Sequence, residues 1–108
     1  MVNTNIYLDN IFGSLADATR RDILRRLMQE NLSVGEIAAP YSISLPAISR
    51  HLRVLEEAKL IIKQRRGKGQ VVQLSPKAIN DVAEYFEWYK KHSENRFDNL
   101  DAYLSNHK

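Results

Sequence analysis

Two helix starts lie close together in the middle of the chain, and they constrain its fold more than any other feature. The first is the stretch SVGE at 33–36, which has the pattern of a capping box. The Ser33 hydroxyl can accept a hydrogen bond from the amide of Glu36, whose carboxylate can reach back to the amide of Ser33. A short helix is therefore predicted at about 34–39. Pro40 helps to end it, because proline disfavours the helical conformation in the residue before it.

The second helix start is Ser44, a good N-cap residue, followed by Pro46 in the first turn. Proline is tolerated there because the amide that it lacks would have no intrahelical partner. This helix is predicted at about 45–58. A short helix, a tight turn and a second capped helix form a helix-turn-helix, which we predict over 34–58.

The predicted helix 45–58 has two chemically different sides. With 3.6 residues per turn, its apolar residues form one stripe directed at the core: Leu45, Ile48, Leu52 and Leu55. Arg50 is at the centre of the opposite side, with small residues and Arg53 close to it. Small residues let a helix approach base pairs in a major groove, and arginine can bind guanine or phosphate. For this segment alone, an ordinary amphipathic surface helix is the alternative.

A basic hairpin is predicted directly after this helix, over 60–74. Two strands flank the turn GKG at 67–69, and the tip carries Arg65, Arg66, Lys68 and Gln70. A flexible basic tip suits a narrow, electronegative minor groove. The alternative is a turn that only aids solubility.

The positive charge of the chain is concentrated in the same region. The net charge is +3, but residues 42–70 alone contain seven Lys or Arg and two acidic residues. Such clustering is typical of proteins that bind polyanions, with a solvated basic face as the alternative.

The remaining segments predict three more helices. Two short ones are expected over 5–16 and about 18–30, the latter capped by Asp17. In the second helix, four apolar residues are expected to face inward: Ile23, Leu24, Leu27 and Met28. Four arginines are expected to face solvent: Arg20, Arg21, Arg25 and Arg26. A long helix is predicted over 76–104. Its apolar stripe is interrupted near 92–95, which allows a bend at that point. The expected fold is mainly α with a small β-hairpin, in a single domain over 1–108: a winged helix-turn-helix.

Several function classes lack support in the sequence. The chain has no cysteine, which excludes disulfides and thiolate metal sites. His51, His92 and His107 are spread over three regions, so we expect no metal site and no cofactor. No catalytic motif is present that would indicate an enzyme. The absence of a signal-peptide pattern and of an apolar run of ~20 residues predicts a cytoplasmic protein without membrane contact.

Four stretches resemble the ArsR (arsenic-repressor) family of winged-helix transcriptional regulators. They are LADATRRDILRRL at 15–27, LSVGEIA at 32–38, SLPAISRHLRVLEEAKLI at 44–61 and RRGKGQVVQL at 65–74. The resemblance implies a homodimer that binds double-stranded DNA at an inverted repeat, usually as a repressor released by a ligand. The effector is not indicated by the sequence. Serine and glycine stand where metal-sensing members carry cysteines, which places the chain with a metal-independent subgroup.

The resemblance also assigns roles to individual residues. The expected DNA-binding residues are Ser33, Ser44, Leu45, Pro46, Ala47, Ser49, Arg50, Arg53, Arg65, Arg66, Lys68 and Gln70. The first and last helices are expected to dimerise through Ile6, Leu8, Ile11, Val82, Phe86 and Tyr89. Lys59 stands where many members have glycine, which indicates a different helix end at this point.

Three further expectations concern single residues. His51 is expected to pack at the edge of helix 45–58, and Asp17 to form an ion pair with Arg21 one turn along. Trp88 is expected to pack in the core or at a dimer contact, with an effector pocket as the alternative. A winged-helix module that binds an acidic protein is the alternative to DNA binding for the whole chain.

Overall fold

The computed structural model describes residues 6–106, with the side chains of 94–98 and 106 outside that description. The chain forms five helices and three strands over this range. In chain order they are α1 (Ile6–Ser14), α2 (Ala18–Leu27), β1 (Leu32–Ser33), α3 (Val34–Ala38), α4 (Leu45–Glu57), β2 (Ile61–Arg66), β3 (Gly69–Leu74) and α5 (Pro76–Asn106).

The predicted fold class and both predicted helix starts are confirmed. The Ser33 hydroxyl accepts a bond of 3.1 Å from the Glu36 amide, and the Glu36 carboxylate accepts one of 2.8 Å from the Ser33 amide. At the start of α4, the Ser44 hydroxyl accepts from the Ala47 amide at 3.2 Å. These bonds satisfy amides that a helix leaves unpaired in its first turn.

The sheet contains one strand more than the sequence predicts. β1 pairs antiparallel with β3, with Leu32 opposite Val72 and Ser33 opposite Val71. The strand order is therefore β1-β3-β2, with the predicted hairpin as two of three strands. Ser33 thus belongs to the sheet and caps α3 at the same time, which ties the helix-turn-helix to the hairpin.

One hydrophobic core joins the helices to this sheet. Its fully buried large side chains are Ile11, Ile23, Ile37, Ile48, Leu52, Leu55, Leu60 and Val72. Two side chains that were predicted to face the core are exposed instead. Leu45 is 56% exposed because the first turn of α4 projects beyond the core, and Met28 is 64% exposed because it follows the last residue of α2.

The sequence pattern predicted that the arginines of α2 face solvent. Several of them instead donate hydrogen bonds to backbone carbonyls of the same chain. Arg20 donates to the carbonyl of Ser14 at 2.7 Å, and Arg26 donates to carbonyls of α3. The predicted ion pair between Asp17 and Arg21 is wrong: Arg21 donates to the carbonyl of Leu15 at 2.7 Å. Asp17 instead caps α2, with its carboxylate accepting from the Arg20 amide at 3.0 Å.

The last helix, α5, runs for 31 residues without a break, so the bend allowed near 92–95 is not present. Its first part packs on the core, where Ala78 is buried and Ile79 and Val82 are partly buried. From Phe86 onward nearly every described side chain is exposed. We call residues 86–106 the distal part of α5.

The end of α4 has a left-handed residue that is not glycine. Lys59 has φ of 63°. Its amide donates to the carbonyl of Glu56 at 2.9 Å, and the Leu60 amide donates to the carbonyl of Leu55 at 3.0 Å. This pair of bonds is a Schellman motif. The expectation of a different helix end is therefore wrong, and lysine adopts the conformation that glycine favours.

Lys59→Gly is expected to raise the free energy of unfolding by about 0.5–1 kcal/mol. Glycine relieves a left-handed strain of roughly 1–2 kcal/mol but loses more backbone entropy on folding. Urea unfolding at fixed protein concentration measures the difference. Lys59→Ala is the control, since it removes the same charge and keeps Cβ. A glycine variant no more stable than the alanine variant would show that the position is unstrained.

Candidate nucleic-acid interface

The outer side of α4 is open along its first half. Pro46, Ser49, Arg50 and Arg53 are exposed, as is Leu45, while Ala47 is partly buried. Within the described part of the chain, neither Arg50 nor Arg53 has a hydrogen bond or ion pair. Both guanidinium groups are therefore available to an external acceptor, on a face of small side chains that lets the helix approach it closely.

The tip of the β2–β3 hairpin is also exposed and cationic. Arg65 lies opposite Gln70, and Arg66 lies opposite Gly69 in the ladder. Gly67 has φ of 62°, a conformation that a side chain would disfavour in this tight turn. Arg65, Arg66, Lys68 and Gln70 are all exposed. The predicted tip residues thus lie together at one end of the sheet.

Two contacts fix the hairpin relative to α4. Lys63 on β2 forms an ion pair with Glu56 on α4, with Nζ and Oε1 3.4 Å apart. Leu60 and Ile61, between the two elements, are buried in the core. The basic tip and the exposed side of α4 therefore have a fixed relative position and cannot move far apart without breaking core contacts.

The helix-turn-helix is held to α2 by a cluster that the sequence pattern did not indicate. Arg26 donates to the carbonyls of Ile37 and Glu36, each at 2.8 Å, and its guanidinium lies over the ring of Tyr41. The Tyr41 hydroxyl donates to the carboxylate of Asp22 at 2.5 Å. These partners are far apart in sequence, so no local periodicity could reveal them. Together they fix the C-terminus of α3 and the turn after it.

The ionisation of this cluster follows from its geometry. The bond from Tyr41, followed by that from Arg25, holds the pKa of Asp22 below its usual value. Burial, followed by the bond to Asp22, raises the pKa of Tyr41. Asp22 is therefore charged and Tyr41 neutral at physiological pH. Because the folded pKa of Asp22 is depressed, its stabilising contribution is present above the unfolded pKa and is lost as pH falls through the folded value.

His51 links α4 to α2 at the edge of the interface, which confirms its predicted packing position. Its Nδ1 lies 3.2 Å from a terminal nitrogen of Arg20 and 3.9 Å from the carboxylate of Asp17. Arginine can only donate, so Nδ1 accepts and a neutral ring carries its proton on Nε2. The amide of Arg20, as the main cause, lowers the pKa of Asp17. The cluster orients α4 without using Arg50 or Arg53.

The residues expected at a dimer contact are in different environments. Ile11 is completely buried in the core of its own chain, so a partner cannot contact its side chain and this prediction is wrong. Ile6, Phe86 and Tyr89 are exposed, and Leu8 and Val82 are partly buried. Trp88 is 53% exposed and stacks on His92, which excludes a place in the core of this chain.

Two other features, a metal-binding cluster and a membrane-spanning helix, are absent from the part of the chain that the structure describes. Among the described side chains, those of residues 6–93 and 99–105, no group of three or more His, Cys, Asp or Glu could hold a metal ion. In the same range, no helix has the length and apolar character needed to cross a membrane.

A capped helix-turn-helix with an unpaired cationic face, fixed beside a basic hairpin, defines a winged helix-turn-helix DNA-binding protein. A family model described as a helix-turn-helix domain matches residues 15–64. The chain is 35% identical over 74 residues to the transcriptional repressor SdpR of Bacillus subtilis, a match covering 68% of this chain and 82% of that protein. The chain belongs to the ArsR family of transcriptional regulators.

Other relatives agree with this assignment. The HTH-type transcriptional regulator Rv2034 of Mycobacterium tuberculosis is 42% identical over 71 residues, and the match spans 66% of each chain. An ArsR-like transcriptional regulator from Rhodococcus sp. RHA1 superposes with a TM-score of 0.76 at 25% identity, covering 94% of this chain and 95% of that one. A homodimeric winged helix-turn-helix DNA-binding domain from Mycobacterium bovis superposes with a TM-score of 0.62 at 26% identity, covering 82% and 79%.

Proposed function

We propose that the protein is a homodimeric repressor that binds an inverted-repeat operator. The observation that carries this proposal is the unpaired cationic face of α4, with Arg50 and Arg53 exposed beside small side chains. The repressor name of SdpR and the homodimeric state of the M. bovis domain support it. A regulator of this kind would act in the cytoplasm, where the DNA is, and would need no enzymatic activity.

In this proposal, α4 enters the major groove with its N-terminal half against the base edges. Arg50 is the base reader, because its guanidinium can bind guanine through two parallel hydrogen bonds. Residues around it allow close approach: Leu45, Pro46, Ala47 and Ser49. Arg53 and the serines at the two helix starts, Ser33 and Ser44, contact phosphate, which the positive end of a helix also favours.

The hairpin would act as the wing at the neighbouring minor groove. Its tip presents Arg65, Arg66, Lys68 and Gln70. The narrow groove concentrates negative potential, which attracts arginine in particular. Because Lys63 and Glu56 hold the hairpin beside α4, insertion of the tip and entry of α4 would occur together.

The dimer would place two copies of α4 in successive major grooves, about 34 Å apart, on one side of the DNA. Dimerisation would cover the exposed apolar residues of α1 and α5, among them Ile6, Phe86 and Tyr89. Leu8 and Val82, which are partly buried, would lie at the margin of that contact.

Selection of bound sequences from random duplex DNA tests this function directly. A palindromic motif is expected, because two identical recognition helices read two identical half-sites. A non-palindromic motif would contradict the dimer, and absence of binding at low salt would contradict DNA binding altogether. The latter result would favour a winged-helix module that contacts an acidic protein.

Lys68→Ala is expected to weaken binding to all DNA sequences about equally and to reduce the slope of log K against log salt by about 1. The reason is that each phosphate contact releases condensed counterions, whatever the base sequence. Fluorescence anisotropy over a series of salt concentrations gives this slope. Lys77→Ala is the control: Lys77 pairs with Asp81 on α5, beyond the opposite end of β3 from the tip. If both variants had the same slope, the tip would not contact phosphate.

A further inference from the structure

Two large apolar side chains flank the N-cap of α4 and are exposed. Ile43, before Ser44, is 42% exposed, and Leu45, after it, is 56% exposed. Among the described residues, neither joins the hydrophobic core. The outer side of α4 otherwise carries small and cationic residues along its first half, so an exposed leucine and an exposed isoleucine at its start need a physical reason.

Ile43 has a position for which a packing role is common. The residue before an N-cap often packs against the fourth residue of the helix, a contact known as a hydrophobic staple. In α4 that fourth residue is Ile48, which is completely buried. A staple does not involve the first residue of the helix, so it leaves the exposure of Leu45 unexplained.

Leu45 has the foremost position in α4. The Cα–Cβ bonds of a helix tilt toward its N-terminus, so the side chain of the first residue extends ahead of the helix. Recognition helices of helix-turn-helix proteins contact base edges with their N-terminal residues. Leu45 also lies one turn before Ser49, which is exposed beside Arg50. When α4 enters the major groove, Leu45 is therefore among the first side chains to meet the bases.

We infer that Leu45 reads the 5-methyl group of a thymine in each half-site of the operator. This inference rests on the proposed function and identifies one base that the proposed function leaves open. A leucine side chain has no hydrogen-bonding group, so it cannot pair with the donors and acceptors of the base edges. The thymine methyl is the apolar group that base edges present in the major groove. Contact between the leucine and this methyl removes both from water.

The spacing along α4 limits where this thymine lies. Leu45 and Arg50 are five residues apart, which is about 7.5 Å along the helix axis at 1.5 Å per residue. Successive base pairs of the duplex are about 3.4 Å apart. The thymine is therefore expected within about three base pairs of the guanine proposed to bind Arg50, once in each half-site.

Removal of single methyl groups from the DNA tests the inference. In an operator selected from random DNA, each thymine is replaced in turn by deoxyuridine, which lacks the methyl group and keeps the base pair. When the thymine that contacts Leu45 is replaced in both half-sites, the affinity is expected to fall about fifteenfold, or about fourfold for each methyl group that is no longer buried. Fluorescence anisotropy at one salt concentration measures the affinities.

Variants of the protein assign the contact to Leu45. In Leu45→Ala the difference in affinity between thymine and deoxyuridine is expected to drop below about twofold, because the effects of removing two groups that contact each other are not additive. Leu45→Met, which keeps an apolar side chain of similar size, is expected to retain most of the difference. Ile43→Ala is the matched control. It removes an exposed apolar side chain beside the same N-cap and is expected to retain the full difference.

The outcomes separate this inference from the proposed function. An operator that binds equally well without any of its methyl groups would overturn the inference and leave the proposed function intact. Methyl sensitivity that persists in Leu45→Ala, or that disappears in Ile43→Ala, would also overturn the inference, because another residue would then contact the methyl group. Absence of binding to any DNA at low salt would remove the proposed function and the inference together.

Discussion

Arg50→Ala is expected to weaken binding to the operator by about 1–3 kcal/mol, the value of a bidentate contact between arginine and a base. Arg50 has no partner within the described part of its own chain, so its removal leaves no unsatisfied group behind. The loss therefore measures the contact with DNA alone. Because α4 and its caps are unchanged, we expect the free energy of unfolding to stay within about 0.5 kcal/mol.

The decisive measurement for Arg50 is the ratio of operator affinity to random-DNA affinity at one salt concentration. This ratio is expected to fall in Arg50→Ala, because random DNA offers phosphate but no matched base. Arg53→Ala is the matched control, since Arg53 is proposed to bind phosphate and its loss should reduce both affinities alike. An unchanged ratio in Arg50→Ala would show that Arg50 does not read bases.

The second large effect concerns stability. Leu52→Ala is expected to lower the free energy of unfolding by about 2–5 kcal/mol, because the side chain is completely buried on the inner face of α4 and its removal leaves a cavity. Chemical denaturation at fixed protein concentration measures this, since the stability of a dimer depends on concentration.

Val54→Ala is the control for Leu52→Ala. Val54 lies on the same helix but is 37% exposed, so we expect a loss of about 1 kcal/mol or less. Similar losses at both positions would mean that α4 does not present the buried face described here. Neither side chain is proposed to contact DNA. Any loss of DNA binding in these two variants would therefore reflect loss of folding.

The helix starts were predictable because their signals are local. A serine followed by glutamate three residues later, or by proline in the first turn, fixes a helix start whatever the tertiary contacts. β1 was not predictable for the opposite reason. Leu32 and Ser33 form a strand only because Val71 and Val72 arrive beside them from a distant part of the chain. Two residues are too few for any strand periodicity to appear.

The errors in the predicted packing have a common cause. Periodicity shows which side of a helix is apolar but not what that side contacts, so Ile11 was assigned to a partner although it lies in the core of its own chain. Met28 continues the apolar stripe of α2 in sequence, yet the helix has ended by then. The charged and small residues of α4 were easier to place, because the buried face fixes the opposite one.

The unbroken α5 has a consequence for the choice of target sites. If this rigid helix joins the two recognition helices of a dimer, the protein sets the distance between those helices, and that distance cannot adapt to the DNA. One extra base pair between half-sites would turn one of them by about 35° around the duplex axis, given 10–10.5 base pairs per turn. A rigid dimer cannot follow such a rotation, so spacing would select operators as strictly as base sequence does.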